Sequence, residues 1–118
     1  MHADDIRTFC LKQQGVEESF PFDEETLVFK IGTKIFLLMS LESRPLQINV
    51  KCDPEKALEL RDKFPGVKPG YHMNKKHWNT ISCDERLSEK LVYEWIMHSF
   101  QLVLNSLPAK TRRTLGYN

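Results

Sequence analysis

Hydrophobic residues repeat along this chain with two periods, and the points where one period gives way to the other mark out seven elements. Ile6, Phe9, Cys10 and Gln13 fall at i, i+3, i+4 and i+7. That spacing predicts a helix over 3–14, with Asp4 and Asp5 at its positive N-terminal end and Gly15 as its stop. The segment 18–22 is extended at most, because Pro21 keeps Phe20 out of helical geometry. From Thr26 to Ile31 the period falls to two, with Leu27, Phe29 and Ile31 on one face. Gly32-Thr33 is a two-residue hairpin turn into a second strand over 34–40. That strand is apolar on both faces, Phe36 and Leu38 against Ile35, Leu37 and Met39, which predicts a central place in the sheet. A third strand over 46–51 alternates cleanly, with Leu46, Ile48 and Val50 inward and Gln47, Asn49 and Lys51 outward.

Asp53-Pro54 then reads as an N-cap acid followed by a first-turn proline, opening a helix through Ala57, Leu58 and Arg61 to about Lys63. Pro65-Gly66 ends it. A strand is expected near His77 to Ser82, and a long helix from about Ser88 to Leu107 along the stripe Leu91, Val92, Trp95, Ile96, Phe100, Val103, Leu104 and Leu107. Pro108 stops that helix. The order α-β-β-β-α-β-α, with hairpin-length connections between strands, predicts an α+β fold: an antiparallel sheet with helices packed on one face. Residues 1–108 form one expected domain, and 109–118 a basic, flexible C-terminal tail.

Composition narrows the class. The chain has 118 residues, 41% apolar and 28% charged, which suits one soluble domain with its own core. Its longest apolar run, 35–39, is too short to cross a bilayer, and the acidic start 1–5 lacks the order of a secretory signal. A cytoplasmic protein with no membrane association, monomeric, is expected. Cys10, Cys52 and Cys83 are odd in number and widely spaced, so neither a disulfide framework nor a zinc site is expected, and each reads as a small buried thiol.

A net charge of +1 conceals an uneven distribution. Residues 1–29 carry seven acids against two bases. The seventeen residues from Pro65 to Ile81 contain three lysines, two histidines, Tyr71 and Trp78, and no acid. Lys110, Arg112 and Arg113 follow near the end. Ammonium groups interleaved with flat rings suit a polyanion: charge for phosphates, rings for bases or sugars. The candidate nucleic-acid contacts are therefore Lys68, Tyr71, His72, Lys75, Lys76, His77, Trp78, Arg112 and Arg113. Trp78 has an alternative as a core residue, and the lysines an alternative as solvated side chains.

Catalytic and metal chemistry find little support. His72 and His77 are five apart, which fits neither one helix face nor one strand face. Ser19, Ser99 and Cys83 could each be a nucleophile, but none lies in a Gly-x-Ser-x-Gly elbow or has a sequence-local base. No Gly-rich phosphate loop or paired-carboxylate pattern occurs. No catalytic residue, metal or cofactor is assigned, and a non-enzymatic protein is expected.

The run Pro69-Gly70-Tyr71-His72-Met73-Asn74-Lys75-Lys76-His77-Trp78-Asn79 resembles the signature of the bacterial MmcQ/YjbR family. Gly15 followed by Phe20-Pro21-Phe22, the hairpin Phe29 to Phe36, the corner Asn49 to Glu55 and Ser99-Phe100 are similar to further family segments, with Phe100 in place of the usual tyrosine. The resemblance spans about Cys10 to Leu107. It implies a frataxin (CyaY)-like α/β sandwich whose hairpins have been compared with a double-wing DNA-binding arrangement, and it carries no catalytic set. Iron binding of the frataxin kind is not expected, because Asp4 and Asp5 are adjacent and the other early acids fall in loops.

The expected function is a small binding protein for nucleic acid, DNA in the first instance, acting through the basic and aromatic loop. The alternative is a protein-interaction or small-ligand module of frataxin-like shape. In that alternative Gln47, Asn49, Lys51, Asn79 and Thr80 line the open sheet face and His77 makes a pH-sensitive contact.

Overall fold

The computed structural model describes residues 1–70 and 73–118. Its elements are α1 (Ala3–Leu11), β1 (Glu17–Ser19), β2 (Thr26–Ile31), β3 (Lys34–Ser40), β4 (Gln47–Lys51), α2 (Pro54–Lys63), β5 (Val67–Pro69), β6 (Trp78–Ser82), α3 (Glu89–Ser106) and α4 (Ala109–Thr114). The strands form one sheet in the order β1-β2-β3-β4-β6-β5, antiparallel throughout. This is the α+β architecture the periodicities predict. Two short strands, β1 and β5, were not expected. Both lie at the sheet's edges and are three residues long, too short to show an alternation.

One face of the sheet carries the core. Leu27, Phe29 and Ile31 of β2, Leu37 and Met39 of β3, Ile48 and Val50 of β4 and Ile81 of β6 join one buried cluster with Ile6 and Cys10 of α1, Ala57 and Leu60 of α2, and the stripe of α3. Helix starts follow the sequence cues. The Asp5 carboxylate accepts from the His2 amide (2.9 Å), Asp53 caps α2 by accepting from Lys56, and Ser88 caps α3 by accepting from Leu91 (3.2 Å).

The faces of β3 depart from simple alternation. A register shift between Phe29 and Lys30 pairs Phe29 with Leu37 but Lys30 with Ile35, leaving Phe36 as the extra residue of a bulge. Phe36 therefore joins Leu37 and Met39 in the core, edge-to-face with Phe100 at 5.3 Å, instead of sharing a face with Leu38. The bulge also leaves the Phe36 carbonyl off the ladder. Ser99 of α3 supplies its partner: the hydroxyl donates to Phe36 O (2.5 Å) and accepts from the Lys51 amide (2.8 Å). Ser99, a nucleophile candidate in the sequence, is fully buried and tied into this structural bridge.

The tail is a second departure. Residues 109–118 were expected to be flexible, yet α4 forms and folds back. Leu115 packs over Gly15, Tyr117 donates to Gln14 O (2.6 Å), Gln14 Nε2 donates to Leu115 O (2.8 Å), and the Tyr117 ring meets Phe100 at 6.2 Å. Gly15 has φ +83°, and a Cβ there would lie 3.1 Å from both Ile31 and Leu115. This close approach is what a glycine permits. No helix among the described residues is long and apolar enough to cross a membrane.

Behind the β4–α2 corner, His98 of α3 accepts a hydrogen bond from the Asp53 amide at Nε2 (3.2 Å), which requires an unprotonated nitrogen there. Burial, and then the charge of Lys56, hold the His98 pKa below its ordinary 6.5. A base with a depressed folded pKa binds its proton more readily when the chain is unfolded. Its stability contribution is therefore complete above about pH 6.5 and declines as pH falls from there towards the folded value. The thermal midpoint is expected to drop between about pH 7 and pH 5.5, and to drop less in His98→Gln. Equal slopes in the two proteins would contradict this.

Candidate nucleic-acid interface

Antiparallel pairing sorts the charges of this chain by end. β2 and β4 finish, and β3 and β6 begin, at the same end of the sheet, as Ile31↔Lys34 and Lys51↔Trp78 require. The β2–β3 turn, the β4–α2 corner and the β5–β6 connection are thus neighbours. Lys30, Lys34, Lys51, Lys75 and Lys76 lie at this end, with Glu17, Asp53 and Glu55 as the acids beside them. Asp23, Glu24 and Glu25 before β2, Glu42 after β3, and Asp84 and Glu85 after β6 stand at the other end, with Arg44 and Arg86 among them. Asp4 belongs with them, since Met1 and Asp4 line one cleft with Leu41, Arg44 and Cys83.

The basic end is well organised. Asn74 builds the turn into β6: its carbonyl accepts from His77 (3.1 Å) and Trp78 (3.0 Å), and its side-chain oxygen accepts from the Lys76 amide (2.9 Å). The His77 carbonyl accepts from Cys52 N at 2.7 Å, stitching the connection to the β4–α2 corner. Arg61 of α2 clamps it from below, donating to Asn79 Oδ1 (2.6 Å), to Trp78 O (3.2 Å) and to Lys75 O. Gly70 is buried against the strand opposite. A Cβ there would meet the Trp78 Cβ at 2.8 Å and its carbonyl oxygen at 3.0 Å, so only glycine fits.

The sequence candidates are distributed as follows. Lys75 and Lys76 are exposed, His77 and Trp78 half-buried, and Lys68 exposed on edge strand β5. Tyr71 and His72 lie outside the described residues. Arg112 is turned inward in part, donating through Nη1 to Leu107 O, while Arg113 is exposed. α4 flanks β2, through Gly15 and Ile31, whereas Lys75 and Lys76 flank β6. Three strand spacings, about 14 Å, separate those positions. Tail and loop therefore stand at the same end without forming one patch, and Lys34 and Lys51 lie between them. Arg61, which organises the loop, was not a candidate; its sequence signal is a lone cation on the inner side of a helix.

The two ion pairs among the described residues are Arg7–Glu18 (2.6 Å) and Arg86–Asp84 (2.8 Å). Neither involves a lysine of the basic end. Other chemistry is closed off locally. Burial pushes the Cys10 and Cys83 thiols up to about 12 and raises Cys52, so none is a thiolate at neutral pH. No group of His, Cys, Asp and Glu suited to a metal occurs among the described residues.

The opposite sheet face reads directly from the register. One row is Ser19–Val28–Leu38–Asn49–Thr80–Lys68, and a second is Thr26–Ser40–Gln47–Ser82. Gln47, Asn49, Lys51 and Thr80 share this face as expected. Asn79 does not. It points into the helical layer, buried, where it accepts from Arg61 and donates to Ala57 O (3.4 Å).

Comparison with known proteins shows what the chain and its fold resemble. The chain is 46% identical over 108 residues to the uncharacterized protein YbdF of Escherichia coli O157:H7, covering 91% of this chain and 88% of that one. It is 30% identical over 116 residues to the uncharacterized protein YjbR of Escherichia coli K12, covering 98% of each. The crystal structure of Deinococcus radiodurans protein DR2400, a DUF419 domain, superposes with a TM-score of 0.94 at 37% identity, over 99% of this chain and 89% of that one. A Pseudomonas syringae protein follows at 0.76 and 26% identity, over 87% of this chain and 99% of its own. With the YjbR family model matching residues 11–102, the chain belongs to the YjbR family.

Proposed function

We propose that this protein is a nucleic-acid-binding module that engages a phosphate backbone with the basic end of its sheet. One observation carries the reading: strand direction gathers Lys34, Lys51, Lys75 and Lys76 at one end, unpaired by carboxylates among the described residues, and sends most of the early acids to the other. A molecule near neutrality then presents a positive end whose field orients it on a polyanion. Arg61, Asn74 and Gly70 pre-organise the loop, which lowers the entropy lost on binding. Trp78, half-buried beside Lys51, offers a ring edge next to the charges. In this reading the chain acts as a monomer in the cytoplasm, where three free, buried thiols suit a reducing compartment. Its role is binding without catalysis: Ser99 and the cysteines are engaged or suppressed as nucleophiles.

The test is a titration of labelled duplex and single strands at two salt concentrations. With four or five phosphate contacts, log affinity is expected to fall with log salt at a slope of about −4 for duplex. Absence of binding at about 50 mM salt would reject the reading.

A second reading has one specific observation behind it. Val28 is fully buried on the open face although it is not part of the main core, and Leu38 beside it is half-buried. With Val28 covered, Leu38 is an accessible apolar contact on this face beside the polar Gln47 and Asn49, which suits a protein partner. Backbone NMR during the same titration separates the readings. Shifts centred on Lys75 and Lys76 favour nucleic acid at the basic end, and shifts centred on Asn49 favour the sheet face.

A further inference from the structure

The cleft between α2 and the β5–β6 connection has a volume of about 330 Å³ and is walled by Pro54, Leu58, Arg61, Lys75 and Lys76. That volume is at the small end for a ligand site. Its walls differ in kind. Pro54 and Leu58 are apolar, and Leu58 is 63% exposed, an unusual place for a leucine on a helix whose buried residues are Ala57 and Leu60. The other three are cations, and no carboxylate lines the cleft among the described residues.

Arg61 is the informative member. Arg61 is half-buried, and its hydrogen bonds among the described residues go to neutral oxygens: the Asn79 amide, the Lys75 carbonyl and the Trp78 carbonyl. Those bonds use Nε and Nη2, leaving Nη1 without a partner among the described residues. None of those oxygens carries a formal charge, so an anion at Nη1 would supply the charge-assisted partner that the guanidinium lacks among the described residues. Lys75 and Lys76 wall the same cleft with their carbon stems, which keeps their ammonium groups within reach of its mouth and favours a multiply charged anion over a single carboxylate. A phosphate monoester, carrying about −1.5 to −2 at neutral pH with three acceptor oxygens, matches that charge. The apolar wall then needs a ligand with a body that packs on Pro54 and Leu58.

The geometry points to a site for a nucleoside monophosphate unit, its phosphate on Arg61 Nη1, Lys75 and Lys76 and its base against Leu58 and Pro54. This rests on and deepens the nucleic-acid reading, because the unit is either a free mononucleotide or the 5′-phosphorylated end of a strand. The apolar wall has no donor or acceptor to read a base, so purines and pyrimidines bind alike in class, and the phosphate is the discriminating group.

Calorimetric titration of the full chain with AMP, adenosine, inorganic phosphate, and a dinucleotide with and without a 5′-phosphate tests this. AMP is expected to bind at least tenfold more tightly than adenosine or inorganic phosphate, and the 5′-phosphate to improve the dinucleotide by a similar factor. A gain for AMP without one for the dinucleotide identifies the free mononucleotide as the ligand. Leu58→Ser, on an exposed position that leaves the fold intact, weakens AMP several-fold without changing inorganic phosphate. AMP binding no tighter than inorganic phosphate, or AMP affinity unchanged in Leu58→Ser, overturns the assignment. Duplex affinity of the unmodified chain judges the broader reading separately. Duplex binding without AMP binding overturns the cleft alone, and AMP binding without duplex binding supports the cleft and overturns the basic-end reading.

Discussion

Ser99→Ala is expected to lower folding stability by about 2–4 kcal/mol, an unusually large loss for removing one oxygen atom. The hydroxyl bridges two backbone groups on neighbouring strands: it donates to Phe36 O and accepts from Lys51 N. Each buried group left unsatisfied costs roughly 1–3 kcal/mol, which exceeds the net worth of the hydrogen bond that satisfied it. The position is fully buried in the helix–sheet interface, so water cannot replace the hydroxyl without opening α3 from β3 and β4. In thermal unfolding the midpoint should fall by on the order of 10 °C. Ser99→Thr retains the hydroxyl but adds a methyl to a packed interface, and should lose less than the alanine variant. A midpoint for Ser99→Ala within about 2 °C of the unmodified chain would show that the bridge is dispensable.

Lys75→Glu combined with Lys76→Glu is expected to reduce duplex affinity on the order of 100-fold at low salt and to flatten the salt slope by about two, one for each phosphate contact removed. Both side chains are exposed, and neither forms an ion pair among the described residues, so stability should change little. The loop itself should persist, because Arg61 holds backbone carbonyls at Lys75 and Trp78, not the lysine ammonium groups. The control is Arg113→Glu. It sits at the same end, about 14 Å across the sheet, and should weaken binding by less than the loop pair. Duplex affinity indifferent to the loop pair, with the fold intact by circular dichroism, would contradict the basic-end reading.

Much of the architecture was legible because its signals are local and periodic. Leu27, Phe29 and Ile31 declare a strand face by alternation, as do Leu46, Ile48 and Val50. The long stripe from Leu91 to Leu107 declares α3, and Asp53-Pro54 declares the start of α2. Where the reading failed, a non-local partner decided the outcome. Alternation assigned Phe36 to the wrong face because a bulge is a property of two strands in register, and neither strand alone records it. Leu58 and Arg61 follow helical spacing into an expected apolar stripe, yet Leu58 is exposed and Arg61 turns to the loop carbonyls. Asn79 was placed on the open face because polar residues on a strand usually face water; a cation from α2 reverses that. α4 carries no apolar stripe of its own, and its order comes from Leu115 and Tyr117 meeting Gly15, Gln14 and Phe100, about a hundred residues earlier in two cases.

The candidate site divides along the same line. Chain order alone shows an acid-free basic stretch between Pro65 and Ile81, and identifies Lys68, Lys75 and Lys76 as cations without adjacent counter-charges, because composition and neighbourhood are one-dimensional properties. Only the folded chain decides that Lys34 and Lys51 join them, that Arg113 flanks the group from a distance, and that Arg61 stands half-buried beneath with no carboxylate partner among the described residues. The physical reason is strand direction. Antiparallel pairing carries every second chain reversal to the same end of the sheet, and that sorting of charge exists only once the strands have paired.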